Sequence, residues 1–180
     1  DLSYYPRERG QYNFNTENME ADGTLNNPKE NWAGIMRRIE TNDFEATNID
    51  YIEIWLMDPF VYAKHEGSTP NTGQLYINLG SVSEDIIHDN KRSAENALPV
   101  PNGNYSVDTG RYALTPNGQI INKSFDNAPE AREFQDVGLD GMNDEVEREL
   151  LTSYLDAIET KYGATSTAYL RAYEDPAGDN

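Results

Sequence analysis

The sequence predicts a mainly β domain with some α-structure, a β-sandwich of jelly-roll or galactose-binding-like type followed by C-terminal helices. Period-two alternation of apolar side chains in "IDYIEIWLM" and "QLYINLG" indicates strands. Turn-rich links such as "HEGSTPNTG" and "PVPNGN" separate the strand candidates. In the last third of the chain, "DEVERELLTSYLDAIETKY" changes to the period of an amphipathic helix.

These patterns divide the chain into three expected parts. Residues 1–31 are aromatic, polar and Asn-rich, and Gly and Pro interrupt every periodic run, so we expect an extended lead-in. The side chains expected to hold this lead-in are aromatic: Tyr4, Tyr5, Tyr12 and Phe14. Residues 32–126 contain the strand candidates and form the expected sandwich core. Residues 127–180 form a helical C-terminal appendage with a candidate Ca²⁺ loop.

The strand candidates differ in how their faces are patterned. The first is apolar on one face through Ile52, Ile54 and Leu56. Its other face, which carries Trp55, is also largely apolar, and this suits an inner strand. The second alternates more cleanly, with Leu75, Ile77 and Leu79 pointing inward. "WAGIMRRIE" is a third candidate, and "GNYSVDTGRYALTPNGQII" predicts a hairpin or a pair of short strands.

The predicted C-terminal helices have clear stop signals. One apolar stripe runs along the first helix and consists of Val146, Leu150, Leu151, Tyr154, Leu155, Ile158 and Tyr162. Gly163 follows as a helix stop. "STAYLRAY" predicts a second, shorter helix that ends before Pro176.

The composition excludes several classes of function. The 180 residues include 32 acidic and 14 basic side chains, a formal net charge of -18, which disfavours binding to nucleic acids and to anionic membrane surfaces. There is no Cys, so neither disulfides nor thiolate metal sites are possible. No apolar run approaches the ~20 residues of a spanning helix. The chain begins at "DLSYYPRERG" without Met or a signal peptide, and we expect it to be a segment of a larger protein.

The stretch "DVGLDGMNDEVE", residues 136–147, has the spacing of a calcium loop. Ca²⁺ binds about six to eight oxygen atoms, and such a loop supplies them at fixed positions around a central Gly. The candidate metal ligands are Asp136, Asp140, the carbonyl group of Met142, Asp144 and Glu147. Gly138 stands at a ligand position and has no side-chain oxygen. A bound Ca²⁺ would have a structural role, holding the helical appendage to the sandwich.

An ordinary helix start explains part of the same stretch without an ion. "DEVE" has the pattern of a capping box, in which Asp144 accepts a hydrogen bond from the backbone N–H of Glu147 and the Glu147 side chain reaches back. Such a cap stabilises a helix by about 1 kcal/mol. The sequence leaves both interpretations open.

Catalytic sites have little support in the sequence. Glu53 and the pair Glu84–Asp85 are candidates for paired-carboxylate chemistry on sugars, but no motif places them in a cleft. His65 and His88 lie in polar turns without the spacing of a zinc site or a nucleophile triad, so we expect them at the surface.

A carbohydrate-binding module of β-sandwich type is the alternative function. Trp32, Trp55 and the twelve Tyr residues are able to stack on sugar rings. Trp55 lies on an expected inner strand and belongs in the core, so Trp32 is the better candidate for a sugar platform.

Six segments carry a resemblance to a known family. They are "YYPRERGQYNFN", "WAGIMRRIETNDFEATN", "YIEIWLMDPF", "LYINLGSVSEDI", "DVGLDG" and "DPAGDN", and together they span nearly the whole chain. On these segments the chain resembles the SprA/Sov family of Bacteroidota. Members of this family form the giant outer-membrane translocon of the type IX secretion system, which also supports gliding motility.

The resemblance implies that this chain is one inserted domain of a very large β-barrel. Because such barrels have longer loops on the extracellular side, we expect the domain at the extracellular face of the outer membrane, with the periplasmic face as the alternative. The implied function is non-enzymatic, and it consists of shaping the cap or mouth of a protein-conducting channel. The implied partners are the rest of the parent barrel, a PorV-like barrel subunit, a plug protein and exported cargo. The resemblance implies no catalytic residues, no nucleic acid and no direct membrane insertion of this segment.

Overall fold

The computed structural model describes both ends of the chain and parts of its middle. The described residues are 3–37, 39, 43, 45, 48, 50–57, 73–83, 85–87, 89–91, 93, 95–100, 106–117 and 124–179. Contacts divide the chain into two units, one of Asp1–Asn31 with Ser81–Asn180 and one of Trp32–Gly80. The first unit contains every helix and strand of the described residues.

Regular structure begins late in the chain. A 3₁₀ turn at Glu95–Ala97 precedes two short strands, β1 (Val107–Thr109) and β2 (Leu114–Pro116). The α-helices of the described residues follow, and they are α1 (Ala131–Gln135), α2 (Asp144–Leu150), α3 (Thr152–Tyr162) and α4 (Thr167–Glu174). None of these helices combines the length and the apolar character that a membrane span requires.

The predicted β-sandwich is wrong. In the described part of the chain, β1 and β2 are the only strands, and they form a two-stranded antiparallel sheet. The three main strand candidates, as far as they are described (32–37, 50–57 and 73–80), form no strand. Trp55, which we expected in the core, is 93% exposed.

The sandwich prediction is wrong because the alternation of apolar and polar side chains describes only one segment of the chain at a time. It shows which side chains share a face of an extended segment, but a strand also needs a neighbouring strand for its backbone hydrogen bonds. Neither 50–57 nor 73–80 pairs with such a neighbour among the described residues. Their apolar side chains are exposed on both faces and do not form a sandwich core.

The predicted hairpin is confirmed. In its register Val107 lies opposite Pro116 and Thr109 opposite Leu114. The backbone N–H of Gly110 donates to the carbonyl oxygen of Ala113 at 2.8 Å and closes the turn. This short hairpin matters for the site because β2 borders the loop that precedes α2.

The predicted C-terminal helices are confirmed in type, but the first is divided. Its backbone leaves helical geometry at Leu151, where φ is -93° and ψ is 18°, so the chain forms α2 and α3 instead of one helix. The apolar stripe does not reveal this break, because Leu151, the residue at the break, is itself buried in the core. Gly163 ends α3 with φ +87°, as predicted. Ser166 caps α4 by accepting a hydrogen bond from the backbone N–H of Tyr169 at 3.1 Å.

The N-terminal segment is part of the helical core. The core cluster combines Met19 with residues of α3, α4 and the α2–α3 junction, and its members are Met19, Leu151, Tyr154, Leu155, Ile158, Ala168 and Ala172. Phe14 stacks on Tyr112 next to the hairpin, with 5.0 Å between ring centroids. The Tyr162 hydroxyl donates to the Met19 carbonyl oxygen. The first and last thirds of the chain therefore share one core.

We predict that Ile158→Ala lowers the free energy of unfolding by about 2–5 kcal/mol, because it leaves a cavity in this core. Ile158 is 0% exposed on α3. Leu170→Ala on α4 is the matched control, since Leu170 is 55% exposed, and its effect should stay within about 0.5 kcal/mol. Urea unfolding measures both variants. Equal losses would contradict the described core.

Candidate metal centre

Three carboxylates from distant parts of the sequence lie together in the first unit. Asp140 is in the loop before α2, Glu147 is on α2, and Asp179 is in the segment after α4. One carboxylate oxygen of each residue lies within 4.8 Å of the other two. This spacing allows one metal ion to contact all three residues. We call these three residues the carboxylate cluster.

Two members of the carboxylate cluster are shielded from water, and the third, Asp179, is partly buried. Asp140 is 0% exposed and Glu147 is 1% exposed. Burial raises the pKa of Asp140 to about 8, and the charge of Glu147 acts in the same direction. Burial also raises the pKa of Glu147 to about 7, with a further contribution from the charge of Asp179. Without a cation, the cluster therefore retains protons near neutral pH.

Hydrogen bonds orient the cluster but leave one oxygen without a donor. Asp140 Oδ1 accepts a hydrogen bond from the backbone N–H of Met142 at 3.0 Å. Asp140 Oδ2 is buried and has no hydrogen-bond partner among the described residues. Glu147 Oε2 accepts from the backbone N–H of Ala177 at 2.9 Å. Because an unsatisfied buried carboxylate oxygen is unfavourable, Asp140 Oδ2 points to a cation or a proton as its partner.

Asp179 belongs to a short segment, Asp175–Asp179, which we call the C-terminal strap. Asp175 Oδ1 accepts hydrogen bonds from the backbone N–H groups of Gly178 at 2.8 Å and Asp179 at 3.2 Å, and these bonds fold the strap into a turn. The Arg9 guanidinium donates to the carbonyl oxygens of Asp175 at 2.8 Å and Pro176 at 2.9 Å. The strap is thereby fixed to the N-terminal segment.

Tyr12 connects three separate pieces of backbone at the cluster. Its hydroxyl donates to Asp179 Oδ2 at 2.7 Å and accepts from the backbone N–H of Leu139 at 3.0 Å. Its own backbone N–H donates to the carbonyl oxygen of Ala177 at 2.7 Å. Burial and the hydrogen bond to Asp179 raise the pKa of Tyr12, so its hydroxyl stays protonated and remains a donor.

Two glycines let the loop before α2 approach its neighbours. Gly138 and Gly141 have positive φ angles of +102° and +77°, which other residues rarely adopt. A Cβ atom at Gly138 would lie 2.9 Å from Asp179 Cγ, and one at Gly141 would lie 2.6 Å from the carbonyl oxygen of Leu114. The Asp140 carbonyl oxygen accepts from the backbone N–H of Leu114 at 2.7 Å, which fixes the loop to β2.

The structure brings two of the five predicted metal ligands into the cluster, Asp140 and Glu147. Met142 is fully buried, and its backbone N–H bonds to Asp140. Asp179, the third member of the cluster, was missed in the sequence analysis. Calcium-loop spacing covers one local stretch, whereas the strap reaches the cluster only through the tertiary fold.

The other two predicted acids have basic partners. Asp136 is exposed and forms an ion pair with Arg132, with 2.8 Å between Arg132 Nη1 and Asp136 Oδ2. Asp144 Oδ2 lies 3.8 Å from Nη2 of Arg148 on the same helix. Neither residue belongs to the group of three carboxylates that can share an ion.

The capping box predicted at the start of α2 is wrong in its residues. Asn143 is the N-cap, and its Oδ1 accepts from the backbone N–H of Val146 at 3.1 Å. Asp144 is already the first residue of the helix, and the Glu147 side chain turns to Ala177 instead of reaching back. The helix cap therefore leaves the Glu147 carboxylate to the cluster.

The remaining catalytic candidates form no site within the described residues. Glu53 is exposed in the second unit. Asp85 accepts two backbone hydrogen bonds within its own turn. His65, Glu84 and His88 lie outside the described residues.

Comparison with protein-family models, with curated proteins and with solved structures finds no match to this chain. The site is therefore interpreted from its own geometry. Three neighbouring carboxylates, two of them buried and one with an oxygen that lacks a donor, are suited to hold a hard cation, which prefers oxygen ligands.

We predict that the metal-free domain loses stability as pH rises from about 4 to about 8. The pKa of Asp140 is raised to about 8 and that of Glu147 to about 7, so in this window the folded state binds more protons than the unfolded chain, and the free energy of unfolding falls. The other charged groups that raise these values are Asp144, Asp175 and Asp179.

Urea unfolding in EDTA at a series of pH values measures this dependence. Asp140→Asn is the comparison, because it removes the group whose pKa is raised further, and it should flatten the decline between about pH 4 and pH 8. Identical pH profiles for the two proteins would contradict the electrostatics of the cluster.

Proposed function

We propose that this chain is a non-enzymatic domain at the extracellular face of a SprA-like type IX secretion translocon, with a structural Ca²⁺ in the carboxylate cluster. Its role is architectural: it helps to form the cap or mouth of a protein-conducting outer-membrane channel. The observation that carries the proposal is that three of the segments with the resemblance meet at the carboxylate cluster.

The three segments contact one another through specific hydrogen bonds. "YYPRERGQYNFN" contributes Arg9 and Tyr12, "DVGLDG" contributes Leu139 and Asp140, and "DPAGDN" contributes the strap. The Tyr12 hydroxyl bonds to both other segments, and Arg9 holds two carbonyl groups of the strap. These three stretches, which are far apart in the sequence, therefore hold one another in place at the cluster. Such mutual support is consistent with an architectural role.

The burial of the cluster also supports a structural ion. A catalytic metal keeps a coordination position open for water or substrate. Asp140 and Glu147 are instead fully buried, and each accepts a hydrogen bond from a backbone N–H group. A cation in this place would stabilise the fold without meeting a substrate.

Ca²⁺ is the cation that fits these surroundings best. Mg²⁺ needs a nearly ideal octahedron and gives up its water reluctantly, whereas Ca²⁺ accepts carboxylate and backbone oxygens in flexible geometry. The cluster offers three carboxylates from separate parts of the chain, two of them fully buried. The net charge of -18 raises the local concentration of divalent cations.

Exposed apolar side chains in the second unit support the proposal that the domain contacts the rest of the translocon. Trp32, Trp55 and the apolar residues of 50–57 and 73–80 are exposed, and large exposed apolar areas mark interaction sites. Three of the segments that carry the resemblance begin in this unit. We propose that this unit contacts the rest of the parent barrel. The other proposed partners of the domain are a PorV-like subunit, the plug protein and exported cargo.

A carbohydrate-binding module is not proposed. That alternative needs a sheet that holds aromatic rings in one plane, and the sandwich expected to supply it is absent from the described residues. Exposure of Trp32 and Trp55 alone does not create such a platform.

We predict that deleting residues 1–180 from the parent protein in its native bacterium abolishes release of type IX cargo into the medium and abolishes gliding. Glu53→Gln should leave both at wild-type levels, because the domain has no catalytic carboxylate. Cargo release and spreading on agar are measured together with the amount of parent protein in the outer membrane. Normal cargo release by the deletion strain would overturn the proposed function.

We predict that EDTA lowers the melting temperature of the domain by about 5–10 °C relative to Ca²⁺ at about 100 times its Kd, since ligand binding stabilises only the folded state. Asp140→Asn should remove this difference. Asp136→Asn is the matched control and should retain it, because Asp136 lies outside the cluster. Melting curves unaffected by EDTA and Ca²⁺ would exclude the Ca²⁺ site.

A further inference from the structure

In the carboxylate cluster, an acidic residue of the strap lies next to two acidic residues of the α2 region, so like charges face each other where the strap docks. Asp140 and Glu147 belong to the loop before α2 and to α2 itself, whereas Asp179 belongs to the strap. Docking of the strap therefore brings a third carboxylate next to the other two. Such an arrangement opposes docking unless a cation or protons neutralise it.

Hydrogen bonds and the burial of Pro176 and Ala177 hold the strap against this repulsion. Its Ala177 N–H donates to Glu147 Oε2, and Tyr12 donates to Asp179. These bonds place Asp179 where its oxygen completes a group of three within 4.8 Å. Asp140 Oδ2, which is buried without a partner, independently points to a ligand in the same place.

We propose that cation binding and docking of the C-terminal strap are one coupled equilibrium, so that the ion is a latch that closes the strap onto α2. This inference rests on the Ca²⁺ site proposed above. With the strap open, the site loses Asp179 and keeps two carboxylates, so a cation binds the closed state more tightly and shifts the equilibrium towards it.

The latch also reaches the N-terminal segment. Arg9 bonds to the carbonyl groups of Asp175 and Pro176, and the Tyr12 N–H bonds to that of Ala177. Opening of the strap breaks these bonds together. Cation binding therefore decides whether Arg9 and Tyr12 remain bonded to the strap.

Hydrogen exchange of the whole chain, in Ca²⁺ and in EDTA, tests the latch. The reporting amides are those of Ala177 and Tyr12, whose hydrogen bonds cross between the strap and its neighbours, and we call them the strap amides. The amide of Leu155 in α3 is the internal reference. In EDTA the strap amides should exchange well before Leu155. With Ca²⁺ at about 100 times its Kd, exchange of the strap amides should slow by about 100-fold. Calorimetric titration of the same sample with Ca²⁺ supplies the Kd.

The outcomes separate the latch from the site on which it rests. No heat of Ca²⁺ binding overturns the proposed site. Ca²⁺ binding with unchanged strap exchange overturns the latch and leaves the site intact. Strap amides that exchange together with Leu155 in EDTA also overturn the latch, because the strap then has no opening of its own.

Gly138→Ala tests the coupling while all three carboxylates remain. The added Cβ would lie 2.9 Å from Asp179 Cγ and should force the strap away, so Ca²⁺ affinity should fall by about ten-fold or more. Gly163→Ala is the matched control: it also places a Cβ on a residue with positive φ, but nothing lies within 4 Å of that atom. Equal Ca²⁺ affinities of these two variants would contradict the coupling.

Tyr12→Phe provides a milder test in a variant that should keep its fold. It removes only the hydroxyl that positions Asp179 against Leu139. Faster strap exchange and weaker Ca²⁺ binding should appear together, because the two are linked. A change in one without the other would overturn the latch.

Discussion

The structure depends on how three neighbouring carboxylates, two of them fully buried, are brought together and neutralised. Asp140 and Glu147 are fully buried, and Asp179 joins them from the strap. Like charges in such surroundings are unfavourable, and the raised pKa values of Asp140 and Glu147 reflect this. A proton or a cation must therefore be part of the folded state. Of the two, a cation is able to contact all three residues at once and would tie together the backbone segments that carry them.

This requirement explains the arrangement of the first unit. Met19 packs among α3 and α4, so the N-terminal segment lies beside the helices. That packing places Arg9 and Tyr12 next to the strap, where their polar groups satisfy its carbonyl and carboxylate oxygens. The hydrophobic core supplies the general association, and the hydrogen bonds around the cluster set the geometry. The proposed architectural role needs firm contacts within the domain more than it needs a cleft.

The second unit has a different character. The apolar side chains described in it are exposed, and its described parts form no strand. The alternation in "IDYIEIWLM" and "QLYINLG" is a property of the sequence, but a strand also requires a partner. We interpret these segments as surfaces for other parts of the proposed translocon. The sandwich prediction was wrong because it assumed that the strand candidates pair with one another.

Local signals in the sequence determined the hairpin near Val107, the helical end of the chain, the stop at Gly163 and two of the three cluster residues. Each of these depends on neighbours within a few residues, through turn chemistry, apolar periodicity or ligand spacing. Only the tertiary structure decided that Asp179 completes the cluster, that Asn143 caps α2 and that Tyr12 holds the strap. Those contacts join segments at opposite ends of the chain or depend on one residue's exact backbone angle, so packing of the whole unit selects them.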